Sequence, residues 1–428
     1  MPDSNPRDLR ESDLIYDWNT VGDGGTKPLG RHVELDDETL RDGLQSPSVK
    51  TPTIEQKLRI LHLMCDLGID GADIGLPAAG PRIFDDVLRI TQEIVDQDLP
   101  IVPNAAARTV VKDCEPIVEI SQRTGRALEV AAFIGSSPIR QYSEAWDIDR
   151  LVQLTDEAVT YCTENGLPVM YVTEDTTRAH PDDLRRLYTT AVEAGARRVC
   201  VADTVGHATP AGARATIRFV KEVVEATGEK VKVDWHGHRD RGLSVANALA
   251  AIEAGAVRVH GTAIGVGERV GNMPMDLLLV NLKLLGWSSR DLTKLSEYCH
   301  LVAEATGIPL HDNYPVFGDD AFRTATGVHA SAIIKARAKG DTWLADRVYS
   351  GVPAEIFGCH QVIEVGPMSG ESNVVYWLAE HGYRHDDELV KRIFEHAKGS
   401  TRVLEEDEIH ELCREYGLSP QVPVAAAS

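Results

Sequence analysis

Short apolar runs alternate with longer segments whose apolar residues recur at helical spacing, and the alternation starts near residue 32. The runs are HVEL, GADIG, PIVPNAA, LEVAAFIG, PVMYVTE, RVCVADT, KVDWHGH and RVHGTAIG. Such brief, nearly unbroken apolar runs suit strands buried on both faces. Between them lie stretches such as TIEQKLRILHLMCDLG, DDLRRLYTTAVEAG and VANALAAIEAG, amphipathic helix patterns that close on glycine. Eight strands, each followed by a helix, predict an α/β fold, a (β/α)8 TIM barrel over residues 32–286. Two stretches, AVEAGARRVCV from Ala191 and AIEAGAVRVHG from Ala251, share one grammar of helix end, glycine and strand start.

After Trp287 the pattern changes. SRDLTKLSEYCHLVAEATG is an amphipathic helix, followed by a polar segment with TGVHASAIIKA and an acidic helical stretch from about Asp386. Residues 287–418 therefore read as a mostly helical C-terminal subdomain, 419–428 as a disordered tail and 1–31 as an N-terminal arm.

The apolar content of 43% is ample for a packed core. Charge narrows the partners: 44 Lys and Arg against 66 Asp and Glu give a formal net charge of -22. Neither nucleic acid nor an anionic membrane surface suits such a chain. An anionic ligand must then be met by local positive charge, helix N-termini or a bound cation. The seven cysteines form no CxxC and are odd in number, which points away from disulfides and towards a reducing compartment. The opening MPDSNPRDLRESD lacks the apolar core of a signal peptide, and no apolar run approaches the ~20 residues of a membrane span. A cytoplasmic protein is expected.

The chemistry concentrates in three places. In VDWHGHRDRG, His236 and His238 are two apart, so on an extended strand they share a face. They follow the seventh apolar run and fall at the carboxyl end of that strand, where barrel active sites are built. Two imidazoles there make good ligands for a divalent cation, although a hydrogen-bonded pair of loop histidines fits HxH alone equally well. DDETLRDGLQ ends the first strand and brings Arg41 and Asp42 to the same mouth. Asp42 can supply the carboxylate of a two-histidine, one-carboxylate set, and Arg41 a permanent positive charge for an oxyanion. IGVGERVGN, after the eighth strand, is a glycine-rich loop able to approach an anion closely, and its Asn272 is a plausible fourth oxygen ligand.

TLRDGLQ, EDTTR (174–178), ADTVGHATP (202–210), HGHRDRGLSVANALAAIEAGA and GVGERVGN occur in that order. Together they resemble the 2-isopropylmalate synthase and homocitrate synthase family, a metal-dependent group of barrel enzymes that includes hydroxymethylglutaryl-CoA lyase among its relatives. The resemblance spans residues 32 to about 380. It implies an acyltransferase that condenses acetyl-CoA with a 2-oxo acid at Mg2+, Mn2+ or Zn2+, as in leucine biosynthesis. By the same resemblance Asp42, His236 and His238 bind the metal with Asn272 nearby, and Arg41 polarises the ketone. Gln45, Glu174 and Thr204 match positions lining the oxo-acid pocket. Glu268 and His329 match a pair implicated in base chemistry, and Gly265, Gly267 and Gly271 lie by the CoA thioester. A homodimer is implied, because the family's histidine-bearing segment reaches into the partner's barrel.

The chain departs from the family in places. Leu44 stands where many synthases carry Glu, Ala131 where they usually carry a pocket histidine, and Arg239 where Asn normally follows HxH. Ala131 with Arg108, Arg140 and Arg239 suggests a larger or more anionic acid. Homocitrate, citramalate and phosphono- or phosphinomethylmalate synthesis therefore stay open, as do a lyase of the hydroxymethylglutaryl-CoA kind and a non-catalytic metal and oxo-acid sensor. An iron(II) oxygenase shares the ligand types, but nothing else in the motifs supports oxygen chemistry.

Overall fold

The computed structural model describes residues 10–22 and 25–420. The chain divides into two compact units: Pro28–Leu310, and the segments on either side of it taken together. Of the tail expected at 419–428, residues 421–428 lie outside the described residues.

The first unit is a closed parallel barrel of eight strands in sequence order. They are β1 (Glu34–Asp37), β2 (Gly71–Asp73), β3 (Val102–Arg108), β4 (Glu129–Gly135), β5 (Val169–Glu174), β6 (Arg198–Asp203), β7 (Lys232–Gly237) and β8 (Arg258–Gly261). Closure comes from β1 against β8, with Asp36 opposite His260 and Asp37 opposite Gly261. The helices between strands start where the sequence supplies a cap. Thr53 accepts from Gln56 N and the Gln56 side chain accepts from Thr53 N, a capping box at the head of Ile54–Asp66. Proline opens Pro81–Asp96, Pro181–Glu193 and Pro210–Glu225, where its missing N–H costs nothing. The repeated grammar of AVEAG and AIEAG has one physical cause. Gly195 and Gly255 adopt φ of +111° and +112°, and each is followed by the same bond, Ala196 N to Ala191 O and Ala256 N to Ala251 O, both 2.9 Å. Leu295–Thr306 belongs to this unit, and its Tyr298 hydroxyl reaches Asp37 and Thr39.

Barrel interiors are ordinarily filled by branched aliphatic side chains. Here part of the filling is ionic. Arg258 on β8 bonds Asp234 on β7 at 2.8 Å and Glu129 on β4 at 2.5 Å. Arg198 on β6 bonds Asp234 at 2.7 Å and Glu34 at 2.7 Å. Asn104 on β3 donates to Asp36 on β1 at 2.7 Å. Each charge has a partner of opposite sign, the condition under which a buried ionic group is tolerated.

The second unit is mainly helical: Gly327–Ala338, Thr342–Arg347, Glu371–Glu380, Asp387–Gly399 and Glu406–Glu415, with a two-residue parallel pairing of Arg323–Thr324 and Val362–Ile363. Val365, Trp377, Leu389, Ile393, Leu404 and Ile409 are in its larger core. Among the described residues no helix is long and apolar enough to cross a membrane.

Candidate active site

β1 stops at Asp37, and the chain turns immediately. Arg41 N and Gly43 N both donate to Glu38 O, at 3.1 and 3.0 Å, which leads into the short helical turn Asp42–Gln45. Glu38, Arg41 and Asp42 are thereby brought to the carboxyl mouth of the barrel. On β7, Asp234 and His236 share the inward face, and His238 follows just past the strand end. Asn272 is carried to the same place by backbone bonds from Arg239 N to Gly271 O (3.0 Å) and from Met273 N to Gly237 O (2.9 Å).

There Asp42, His236 and His238 converge, all three buried, with ligand atoms mutually within 4.8 Å. Asp42 Oδ2 lies 3.8 Å from His236 Nε2 and 3.6 Å from His238 Nε2. Asn272 Nδ2 donates to the same oxygen at 2.5 Å, while Asn272 Oδ1 and His238 Nδ1 are buried without a hydrogen-bond partner. One carboxylate and two imidazoles are a fitting donor set for a divalent cation, and the unpartnered Oδ1 of the adjoining Asn272 is a buried oxygen that such a cation would satisfy. Asn272 turns its nitrogen, not its oxygen, to Asp42; a half-turn of the amide exchanges the two.

The electrostatics agree with a cation cage. Burial and the neighbouring Glu38 push the Asp42 carboxyl up, but Arg41, with His236 behind it, outweighs them and holds the group below its usual range. Burial, and then the neighbouring His236, press His238 down to about 4, so it is neutral near pH 7, as a ligating imidazole must be. For His236 burial works downward, yet the adjoining Glu38 carboxylate raises it.

These groups lie at one side of a cavity of about 210 Å3. Arg41, Gln45, Glu174, Thr204 and Glu268 line it as well. The Arg41 guanidinium is held by Asp73 at 2.6 Å, Asp42 at 2.8 Å and Glu38 at 3.6 Å, which raises its already high pKa despite burial. Thr204 Oγ1 accepts from Asp175 N at 2.8 Å, leaving its hydroxyl proton to donate elsewhere. Glu174 pairs with Arg140 at 3.1 Å, and burial raises its pKa in spite of that arginine. Glu268 is more exposed, 3.4 Å from Arg269. The opposite wall is apolar, built from Ala106, Ala131, Phe133, Met170 and Val172.

Of the glycine loop, Glu268 lines the cavity and Gly265, Gly267 and Gly271 do not, but their folding supports the site. Gly271 adopts φ of +111°, and a Cβ there would meet Gly265 O at 1.9 Å. A Cβ on Gly267 would meet Asn272 Oδ1 at 2.0 Å. His329 lies in the second unit, near the start of Gly327–Ala338, with its ring stacked on Tyr349 at 4.1 Å between centroids.

None of the three further arginines lines the cavity, although Arg140 pairs with Glu174, which does. Arg108 forks onto Asp113 at 2.6 and 3.0 Å. Arg140 faces Glu174 and Glu144. Arg239 donates to the loop carbonyls of Val270 at 2.6 Å and Ile264 at 3.4 Å. Sequence reasoning missed Glu38 and His260, both of which line the cavity. The signal for Glu38 was present: an acidic residue four before Asp42 in a turn already singled out. His260 sits two residues after Arg258 on an inward-facing strand.

The HMGL-like family model matches residues 32–302. Homocitrate synthase AksA of Methanopyrus kandleri is 32% identical over 387 residues, covering 87% of this chain and 91% of the relative. The 2-isopropylmalate synthase of Sulfolobus acidocaldarius is 32% identical over 374 residues, covering 86% and 90%. Among solved structures, hydroxymethylglutaryl-CoA lyase from Pseudomonas aeruginosa superposes with a TM-score of 0.55 at 20% identity, over 64% of this chain and 93% of that one. The HMG-CoA lyase from Brucella melitensis gives 0.53 at 17%. At such identity the structures attest the shared barrel.

Proposed function

Because the chain belongs to the HMGL-like family, we propose that it is an acyltransferase that condenses acetyl-CoA with a 2-oxo acid of short, branched apolar side chain, as a 2-isopropylmalate synthase does. The observation that carries this reading is the cavity itself. Asp42, His236 and His238 stand on one side, and Ala106, Ala131, Phe133, Met170 and Val172 on the other.

Asp42, His236 and His238 would hold a divalent metal, Mg2+, Mn2+ or Zn2+, with Asn272 beside them. Such a cation polarises a ketone and stabilises developing negative charge, an effect worth several kcal/mol. Arg41 adds a permanent positive charge at the cavity wall, fixed by Asp73 and Asp42 so that it need not reorganise as charge develops. Thr204 offers its hydroxyl proton, and Gln45 its amide, to the substrate carboxylate. Glu268 and His329 serve as the base pair that takes a proton from the acetyl methyl group. His329 is supplied by a second copy of the chain, so the working form is a homodimer. The loop holding Gly265, Gly267 and Gly271 receives the CoA thioester, and hydrolysis of the condensed thioester makes the reaction run one way.

Among the described residues Arg41 is the one Arg or Lys lining the cavity, and nearby Arg140 is already paired with Glu174, so a second carboxylate on the acid would meet no unpaired cation on the wall. This favours 2-oxoisovalerate over 2-oxoglutarate, although homocitrate synthases are among the relatives. The test is release of free CoA thiol from acetyl-CoA, with Mg2+ or Mn2+, across 2-oxoisovalerate, pyruvate, 2-oxoglutarate and phosphonopyruvate. Fastest turnover of 2-oxoisovalerate is expected. Preference for 2-oxoglutarate would replace the substrate and keep the reaction; no thiol release with any acid would overturn both.

A further inference from the structure

The two oxygens of Glu38 are divided between two histidines. Oε2 lies 2.8 Å from His236 Nδ1, and Oε1 lies 3.0 Å from His260 Nδ1. The far nitrogen of His260, Nε2, lies 3.3 Å from Asp234 Oδ2. Asp234 is in turn gripped by Arg198 at 2.7 Å and Arg258 at 2.8 Å. A line of buried hydrogen bonds thus runs from the ionic filling of the barrel up to His236.

The direction of donation along this line follows from the groups present. Carboxylates only accept, so His260 donates from both nitrogens and His236 donates from Nδ1. His236 is left with Nε2 as its acceptor atom, and that atom faces Asp42. The trio Glu38, His236 and His260 also has ligand atoms within 4.8 Å of one another. It is a relay and not a second cation cage, because His260 has a carboxylate at each nitrogen and no lone pair to offer. His238 has no comparable brace, since its Nδ1 is buried without a partner.

We infer that Glu38 and His260 are positioning residues for the metal centre: Glu38 fixes the ring and tautomer of His236, and His260, anchored on Asp234, fixes Glu38. The inference rests on the reading of Asp42, His236 and His238 as metal ligands. Partners that orient a ligating histidine are typically worth about 10- to 100-fold in metal affinity. A role confined to packing would instead lower stability and leave the affinity of the folded protein alone.

The experiment is titration of the metal-stripped full-length protein with Mn2+, followed by kinetics at limiting and saturating Mn2+. Glu38→Ala is expected to weaken Mn2+ binding by about tenfold or more. Saturating Mn2+ should recover most of its kcat, the remainder reflecting the lost 3.6 Å contact with Arg41, and its KM for acetyl-CoA should match the parent's. Glu38→Gln keeps an acceptor for His236 Nδ1 and should recover most of the affinity. His260→Gln, which frees Glu38 without removing it, should weaken Mn2+ in the same direction by less, and it carries the test if the alanine variant does not fold. Parental affinity in Glu38→Ala or His260→Gln overturns the inference. So does a loss that Mn2+ cannot restore and that extends to the KM for acetyl-CoA. Failure of the parent itself to bind Mn2+ would instead sink the metal reading beneath it.

Discussion

Asp37 keeps its proton where an exposed aspartate has long lost it. It is wholly buried at the end of β1, accepts from Thr39 N at 2.8 Å and meets the Tyr298 hydroxyl. Burial outweighs these hydrogen bonds and lifts its pKa from 3.8 to about 7. Below 3.8 the folded and unfolded forms are both protonated at this group. Between 3.8 and about 7 only the folded form holds the proton, so Asp37 makes stability fall as pH rises, and above about 7 the effect is complete. Asp37→Asn cannot titrate. Its stability relative to the parent should climb between about pH 4 and 7 and then level off, as chemical denaturation at a series of pH values would read; a flat difference would refute the assignment. At the proposed metal site, His236→Ala should cost roughly a thousandfold or more in kcat and abolish Mn2+ retention by the purified protein. Full activity in that variant would remove the centre from the mechanism. HxH and RDG were legible because each is a local pattern whose consequence follows from strand alternation alone. Glu38 and His260 were not, since they are 222 residues apart and gain meaning only when β1 lies in register beside β8. The reach of Arg239 was equally hidden: its partners are loop carbonyls, which no side-chain pattern announces.

Among the elements, the strands could be read early because burial on both faces leaves apolar runs that nothing else in the chain imitates. The polar filling could not, because Arg198, Asp234 and Arg258 interrupt those runs and look like ordinary strand-end charges until the barrel closes around them. The loop after β8 is the element most sensitive to a single atom. Gly271→Ala puts a methyl group at φ of +111° against Gly265 O. The strain should exceed about 1 kcal/mol and be relieved by displacement of the loop. Since Asn272 is tied to that loop, kcat/KM for acetyl-CoA should fall at least about tenfold. Far-UV circular dichroism should match the parent's. Parental kinetics in this variant would show that the loop plays no part in the reaction.

For the whole molecule, the proposed sharing of His329 between copies makes a quantitative demand. Chains carrying His236→Ala and chains carrying His329→Ala should each be inactive alone. Unfolded together and refolded, half of the dimers contain one chain of each kind, and one of their two sites has a full set of residues. About one quarter of parental activity should therefore return. No recovery would place His329 and the metal ligands of each active site on one chain.

The hydrogen bond between Asp42 and Asn272 joins residues 230 apart in the chain. On a ribosome adding about 5–20 residues per second, roughly 10–50 s separate the synthesis of the first from that of the second. Throughout that interval β1 lacks β8, its partner in closure, so any sheet formed by then has two open edges. On the proposed ligand set, an ion arriving early would meet Asp42 alone of the three side chains. Supply of the ion to a growing culture should therefore do little for soluble yield, whereas chaperones that shield the unclosed edge should govern it.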